Sequence, residues 1–209
     1  MLTVSYVVAL FPSHEILYNR RREEIGWPRS ESIPEEYRPM QETIEQYKQR
    51  IMGCLGDQKP LKVQAATASK IERLVKNVPR AKLKMRPAPG KWSVAEILAH
   101  LADTEIVCGY RMRSILGAPG MPISAFDQDK WAEAQNYAKR DPQMSLRVFR
   151  TLREVNLSLL KSLKSEQWKQ FGIHAERGEE SIERIAQMFA GHDINHLRQI
   201  DAILAPKKK

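Results

Sequence analysis

The sequence predicts an all-α fold, a four-helix bundle preceded by an N-terminal extension. Helix-forming residues dominate the composition, and only 7% of residues are aromatic. Four long stretches repeat apolar residues at steps of three and four, and most prolines lie between these stretches. A chain of 209 residues with 42% hydrophobic residues can form one domain with a sizeable core plus an extension.

Residues 1–40 differ from the remainder because four prolines, Pro12, Pro28, Pro34 and Pro39, divide them into pieces too short for stable elements. We expect a loosely packed extension that is dispensable for a functional domain at residues 41–205, with a basic tail at 206–209. The apolar run at residues 2–11 has no preceding Lys or Arg, which argues against a signal peptide, and it is too short to cross a bilayer.

The first half of the domain contains two predicted long helices. A helix at about residues 43–52 precedes the first long one, at residues 61–78, and residues 84–91 form a connection rich in Pro and Gly. Ser93 and Glu96 form a capping box that starts the second long helix, which runs to about Leu116, and Trp92 precedes the cap. His100 lies beside the buried stripe of this helix, which consists of Ile97, Leu101, Thr104, Cys108, Met112 and Ile115.

The second half contains the other two long helices. Residues 117–126 form a loop, residues 127–138 a short helix, and residues 142–163 the third long helix. Its predicted core face consists of Val148, Leu152, Val155, Leu159 and Leu163, widened by Phe149, Asn156 and Leu160. Residues 166–171 form a turn, residues 172–178 a polar loop, and residues 181–204 the fourth long helix.

The fourth helix carries two histidines within its apolar stripe. His192 and His196 are four residues apart, so their side chains lie one above the other and can bind one metal ion. Two core histidines without a metal are the alternative interpretation. Of the other three histidines, His14 lies in the extension and His174 in a polar loop, where no rigid element orients them.

His100 is the candidate third ligand, because neighbouring helices in a bundle lie about 8–10 Å apart. Three imidazoles leave a coordination position open, which is typical of catalytic zinc, and imidazole also suits nickel, iron and copper. Asp193 is a weak candidate for a general base. We favour a role in which it contacts a metal-bound histidine or lies on the helix surface. Arg111 could bind an anionic substrate or form a surface salt bridge, and Asp103 and Glu105 are expected to be solvated or to support the ligands.

The charge of the chain favours solubility over nucleic-acid binding. The formal net charge is +9, but apart from Lys207–Lys209 the basic residues are scattered and no aromatic platform accompanies them. The two cysteines, Cys54 and Cys108, form no spaced pattern, which indicates a reducing compartment and a cytoplasmic protein.

Two segments resemble a known family. The sequences GKWSVAEILAHLADTE at residues 90–105 and AGHDINHLRQI at residues 190–200 resemble the DinB superfamily of metal-binding four-helix bundles, and within it a group of metal-dependent hydrolases. The similarity covers about residues 42–204. It implies a divalent metal, zinc or nickel, held by His100, His192 and His196. Asn195 departs from the family pattern, because similar sequences often carry another histidine there.

The resemblance also implies a function. We expect a metal-dependent hydrolase or an S-transferase that uses a low-molecular-weight thiol, acting on a small molecule and forming a homodimer. The alternative is a metal-binding or stress-response interaction module without catalysis. A pocket beside the three imidazoles would favour the enzyme, whereas a fourth protein ligand would favour the alternative.

Overall fold

The computed structural model describes residues 42–206, and these residues are mostly helical. The all-α prediction and the four-helix bundle are therefore confirmed, while the predicted extension, its boundary near Met40 and the end of the basic tail lie outside the described residues. The helices are α1 (Ile44–Leu55), α2 (Pro60–Val75), α3 (Arg80–Lys84), α4 (Val94–Gly117), α5 (Gln128–Ala134), α6 (Pro142–Ser162), α7 (Ser165–Trp168) and α8 (Ile182–Leu204).

The four long helices α2, α4, α6 and α8 form the bundle, and local sequence signals determine where they begin. Helix α4 packs mainly against α6, and α8 packs mainly against α2 and α1. The capping box of Ser93 and Glu96 is formed at the start of α4, as predicted. Ser181 caps α8 by accepting a hydrogen bond from the Arg184 amide. Among the described helices, none has the length and apolar character needed to cross a membrane.

Helix α1 approaches α8 very closely, because a glycine lies at the contact. A Cβ atom at Gly191 would lie 2.1 Å from the carbonyl oxygen of Ile51, a distance at which the two helices would have to move apart. The contact places α1 beside His192, the next residue of α8. The packing of α1 therefore contributes to the position of that histidine.

A small sheet lies at one end of the bundle, where the sequence predicted loops. Strands β1 (Pro122–Ile123) and β2 (Phe171–His174) pair in parallel, and β3 (Gly178–Ser181) pairs antiparallel with β2. The prediction of a loop at residues 172–178 was wrong. Each strand has at most four residues, so the alternation of apolar and polar residues is too short to be recognised in the sequence. The close packing of β2 on β1, where a Cβ at Gly172 would lie 2.6 Å from Ile123 Cδ1, is visible only in three dimensions.

The buried face of α6 is rotated relative to the predicted one. Val148 and Val155 were expected in the core, but they are 37% and 51% exposed. Arg153, which was not expected in the core, is buried at 3% exposed, and Asn156, which was predicted to widen the core face, is buried at 4% exposed. The prediction gave apolar residues priority, whereas carboxylates on α4 and α8 provide partners for these polar side chains in the core.

Candidate metal centre

Three histidines from α4 and α8 converge between these helices. The Nε2 atom of His192 lies 3.0 Å from Nε2 of His100 and 3.0 Å from Nε2 of His196. Helical spacing places His192 and His196 one turn apart on α8, and the packing of α4 adds His100. These three side chains, which we call the histidine triad, are the three that the sequence predicted as a group.

The histidine triad has more lone pairs than protons to satisfy them. His196 Nδ1 lies 2.7 Å from Gln199 Oε1, and because an amide oxygen only accepts, Nδ1 carries the proton and Nε2 a free lone pair. His192 Nε2 lies between two other Nε2 atoms but can donate to only one of them. In addition, His192 Nδ1 is buried and has no hydrogen-bond partner among the described residues.

The spacing of these nitrogens suits a divalent ion. Nitrogens bound to a tetrahedral zinc are about 3.3 Å apart, given a Zn–N distance of about 2.0–2.1 Å. Two of the three separations, from His192 Nε2 to the other two Nε2 atoms, are 3.0 Å and close to this value, and the ligand atoms of all three residues lie within 4.8 Å of one another. No other His, Cys, Asp or Glu within residues 42–206 joins the group, so the three imidazoles would leave part of the coordination sphere open.

Burial keeps the three imidazoles neutral. Removal from water lowers the pKa of His196 to about 4, although its hydrogen bond to Gln199 opposes the shift. Burial also lowers the pKa of His100 and His192 well below 6.5, and the neighbouring imidazoles add to the effect. Only neutral histidine binds a metal, so these side chains are ready for coordination at neutral pH.

Aromatic residues hold the rings of the histidine triad in place. The ring of Trp92 lies 5.0 Å from that of His100, and the ring of Phe189 lies 6.3 Å from that of His192. Trp92 was predicted only as an apolar residue before the α4 cap, and its second role depends on the close packing of α4 and α8. These contacts restrict the orientations of the His100 and His192 rings.

A second buried polar group lies beside the triad, centred on Arg153 of α6. Its guanidinium donates to both oxygens of Asp193 and, over 2.7 Å, to Glu105 Oε1. Burial alone would lower the pKa of Arg153, but the two carboxylates outweigh it and raise the pKa. Thr67 also donates to Asp193, and Asn156 donates to Glu105. We call the five residues Thr67, Glu105, Arg153, Asn156 and Asp193 the arginine cluster.

The arginine cluster changes the interpretation of two predicted residues. Both oxygens of Asp193, the weak candidate for a general base, accept hydrogen bonds from Arg153. Glu105 is buried in the same cluster rather than solvated. Sequence reasoning missed Arg153, although it occurs with Phe149 and Asn156 at helical spacing on one face of α6, a pattern that signals polar groups within a core.

Asp103 and Asn195 lie in other networks. Asp103 accepts hydrogen bonds from the Tyr137 hydroxyl over 2.7 Å and from Arg140 over 2.8 Å, so it is paired rather than solvated. Asn195, the departure from the family pattern, accepts a hydrogen bond from Arg50 of α1 over 3.1 Å. It therefore links α8 to α1.

Arg111 and His174 meet at the sheet end of α4. His174 was expected to lack a rigid element, and this expectation was wrong, because β2 holds it between two other strands and leaves it only 2% exposed. Arg111 is 6% exposed, so a surface salt bridge is excluded. Its Nη2 atom donates to the Ser124 carbonyl over 2.6 Å and lies 3.4 Å from His174 Nε2.

Two cavities reach the histidine triad from different sides. The larger, about 500 Å³, touches His192 and His196 and is walled by residues that include Trp92, Arg50 and Asn195. The smaller, about 70 Å³, touches His100 and His192 and extends to Arg111 and His174. Each cavity therefore offers a small molecule space beside two of the three imidazoles.

The fold and the site define a class of protein, a four-helix bundle with a histidine triad between two of its long helices. Residues 65–200 match the family model of the DinB superfamily, and the chain belongs to that superfamily. The resemblance detected in the sequence is thereby confirmed.

Several relatives carry names that describe candidate metal-dependent hydrolases. Two are proteins of Oceanobacillus iheyensis, 28% identical over 116 residues and 27% identical over 118 residues; each match covers 56% of this chain, and 66% and 68% of the relatives. YfiT of Bacillus subtilis is 23% identical over 166 residues, which cover 79% of this chain and 88% of YfiT.

The solved structure of YfiT, described as a probable metal-dependent hydrolase with an unusual four-helix bundle topology, is also similar. The TM-score is 0.62 at 22% identity, with 82% of this chain and 93% of that chain covered. This similarity supports the fold.

Proposed function

We propose that this protein is a metal-dependent hydrolase of small molecules, with a divalent zinc or nickel ion held by His100, His192 and His196. The observation that carries the proposal is the convergence of three Nε2 atoms, from two buried histidines and the partly buried His192, whose lone pairs have too few proton donors. The names of the relatives support the same class of activity.

The bound ion would supply a Lewis acid that lowers the pKa of a water or a thiol and polarises an acceptor group. The protein contributes the geometry. Gln199 keeps the His196 proton on Nδ1 and so leaves Nε2 free. Trp92 and Phe189 pack against two of the rings and restrict their orientations. We assign Asp193 a positioning role, because its ion pair with Arg153 ties α8 to α6 beside His192.

The other sequence predictions attached to this function remain predictions. A low-molecular-weight thiol as co-substrate would use the same open coordination position, so hydrolysis and thiol transfer must be separated by their products. Cys54 and Cys108 are free and buried, which agrees with the predicted reducing, cytoplasmic location. The predicted homodimer can be tested by sedimentation.

The test combines metal content with activity, using full-length protein without a histidine tag. We expect about one equivalent of zinc or nickel, and we expect hydrolysis of members of a panel of small esters and amides that stops on chelation and returns with metal. A parallel panel with an added thiol would reveal S-transfer. His100→Ala and His192→Ala should lose both metal and activity, whereas the control variant His14→Ala should keep both.

Two outcomes would contradict the proposal. Failure to bind metal after reconstitution would leave the three histidines as core residues. Bound metal without turnover on either panel would favour the metal-binding or stress-response module that performs no catalysis.

A further inference from the structure

The geometry points to a carboxylate-binding site formed by Arg111 and His174, at the far end of the smaller cavity from the histidine triad. We infer that the substrate carries a carboxylate group, a statement about the substrate that rests on the proposed function. The site itself is argued from groups that do not belong to the triad.

Arg111 is a buried guanidinium without an acidic partner. It is 6% exposed, and among the described residues no carboxylate oxygen lies within salt-bridge distance of it. Its contacts are the Ser124 carbonyl, the His174 imidazole and the ring of Phe126, whose centroid lies 5.9 Å away. Burial lowers the pKa of Arg111 to about 10, so the group remains charged at neutral pH. A buried charge of this kind calls for an anionic partner.

His174 presents a second donor to the same point. The Glu176 amide donates to His174 Nδ1 over 3.1 Å, so in the neutral imidazole the proton is on Nε2. This Nε2 atom lies 3.4 Å from Arg111 Nη2, which is also a donor. Two N–H groups therefore face each other, with no acceptor between them in the part of the chain that the structure describes. An oxygen that accepts from both would resolve the conflict.

The position of this donor pair links it to the proposed metal centre. Arg111 is eleven residues after His100, a spacing that returns to nearly the same face of α4, and Thr104 lies between them on that face. All three residues line the smaller cavity, together with His192 and His174. A molecule whose carboxylate contacted Arg111 and His174 would extend along this face towards the imidazoles.

The surrounding charges favour a single negative charge, as in a carboxylate, over a dianionic phosphate. Arg177 also lines the cavity, but Glu180 neutralises it with hydrogen bonds of 2.6 and 2.8 Å. Glu176 lines the cavity as well and would repel a dianion. The buried Oε2 atom of Glu176 has no hydrogen-bond partner among the described residues. Glu176 is therefore the carboxylate of the protein itself that would compete with a bound anion for Arg111 and His174. A planar carboxylate also matches the donor fork of arginine.

The test uses the nitrogen spectrum of the imidazoles in full-length, ¹⁵N-labelled protein, titrated with acetate and separately with inorganic phosphate. Both titrations are run on zinc-loaded and on chelator-treated protein, because acetate could also bind zinc. The variants are Arg111→Lys, which keeps the charge but loses the fork, Glu176→Gln, and the control Arg147→Lys on the exposed surface of α6.

We expect His174 to carry its proton on Nε2 and acetate to shift that signal, more strongly than phosphate does, with and without zinc. Acetate affinity should fall about tenfold in Arg111→Lys, stay unchanged in Arg147→Lys, and stay the same or rise in Glu176→Gln. Acetate binding in protein that takes up no metal would support this site while ending the proposed function.

Three results would overturn the inference. A proton on Nδ1 of His174 in the wild-type protein would remove the second donor, and this measurement needs no variant. Acetate binding that is insensitive to Arg111→Lys would place the anion elsewhere. Metal uptake and turnover without any acetate effect on His174 would leave the proposed function standing and exclude the carboxylate site.

Discussion

The arginine cluster and the histidine triad are two buried polar groups that touch the same segment of α8, since Asp193 directly follows His192. In the arginine cluster, the guanidinium of Arg153 faces two carboxylates, and Thr67 and Asn156 complete their hydrogen bonds. In the triad, three neutral nitrogens face one another with too few protons. The two groups differ in how far they are paired internally: the charged side chains of the arginine cluster are paired with one another, although Arg153 Nε has no hydrogen-bond partner among the described residues. The triad has too few protons for its nitrogens and is complete only with a ligand.

Breaking the arginine cluster should have the largest effect. Arg153→Leu would leave Asp193 and Glu105 buried without their cation, and we expect the free energy of unfolding to fall by about 3–5 kcal/mol. Urea denaturation would measure this, with the exposed Arg147→Leu as a control expected to change it by less than about 0.5 kcal/mol. A loss below about 1 kcal/mol in Arg153→Leu would show that this cluster does not stabilise the fold.

The triad should contribute stability only when metal is present. Zinc at 100 to 1,000 times its dissociation constant should stabilise the wild type by about 2.7–4.1 kcal/mol through mass action. The same addition should leave His100→Ala unchanged, as measured by thermal unfolding with and without chelator. Equal stabilisation of both proteins by zinc would place the binding site elsewhere.

The glycine contact between α1 and α8 tests whether the backbone near both groups is tightly fixed. Gly191→Ala would place a methyl group against the Ile51 carbonyl, and we expect a loss of about 1–3 kcal/mol in the free energy of unfolding. Gly53, whose Cβ would meet no atom within 4 Å, supplies the control variant Gly53→Ala. Equal stability of the two variants in urea denaturation would mean that α1 can shift without cost.

The smallest effect is expected from the hydrogen bond that orients His196. Gln199→Leu would remove the acceptor that keeps the His196 proton on Nδ1, so the proton could move to Nε2, the atom that would bind the metal. We expect zinc affinity to fall about tenfold, with little change in the stability of the metal-free protein. Competition with a chromogenic chelator would measure the affinity, and the exposed Gln143→Leu on α6 would serve as control. Unchanged affinity in Gln199→Leu would remove this residue from the support of the site.

Local patterns predicted the parts of this molecule that depend on neighbours within one helix. The capping box at Ser93, the extent of α8 and the spacing of His192 and His196 are properties of single segments, and they are found as predicted. The addition of His100 needed only the general spacing of packed helices.

The parts that the sequence did not predict depend on partners distant along the chain. Arg153 lies in the core because of carboxylates on two other helices, and no pattern within α6 identifies those partners. His174 is held in place because β2 pairs with β1, and the residues of β1 lie about fifty positions earlier in the chain. Asp193 could be recognised as a member of an ion pair only once Arg153 had been placed.

X-ray absorption spectroscopy of the zinc-loaded, full-length protein tests the central claim most directly. We expect three imidazole nitrogens at about 2.0–2.1 Å and at least one light-atom ligand that an added small-molecule ligand can replace, with the imidazole count falling in His196→Ala. A zinc coordination sphere that is closed by four protein ligands, or that includes the sulfur of a cysteine, would contradict the assignment of an open three-histidine site.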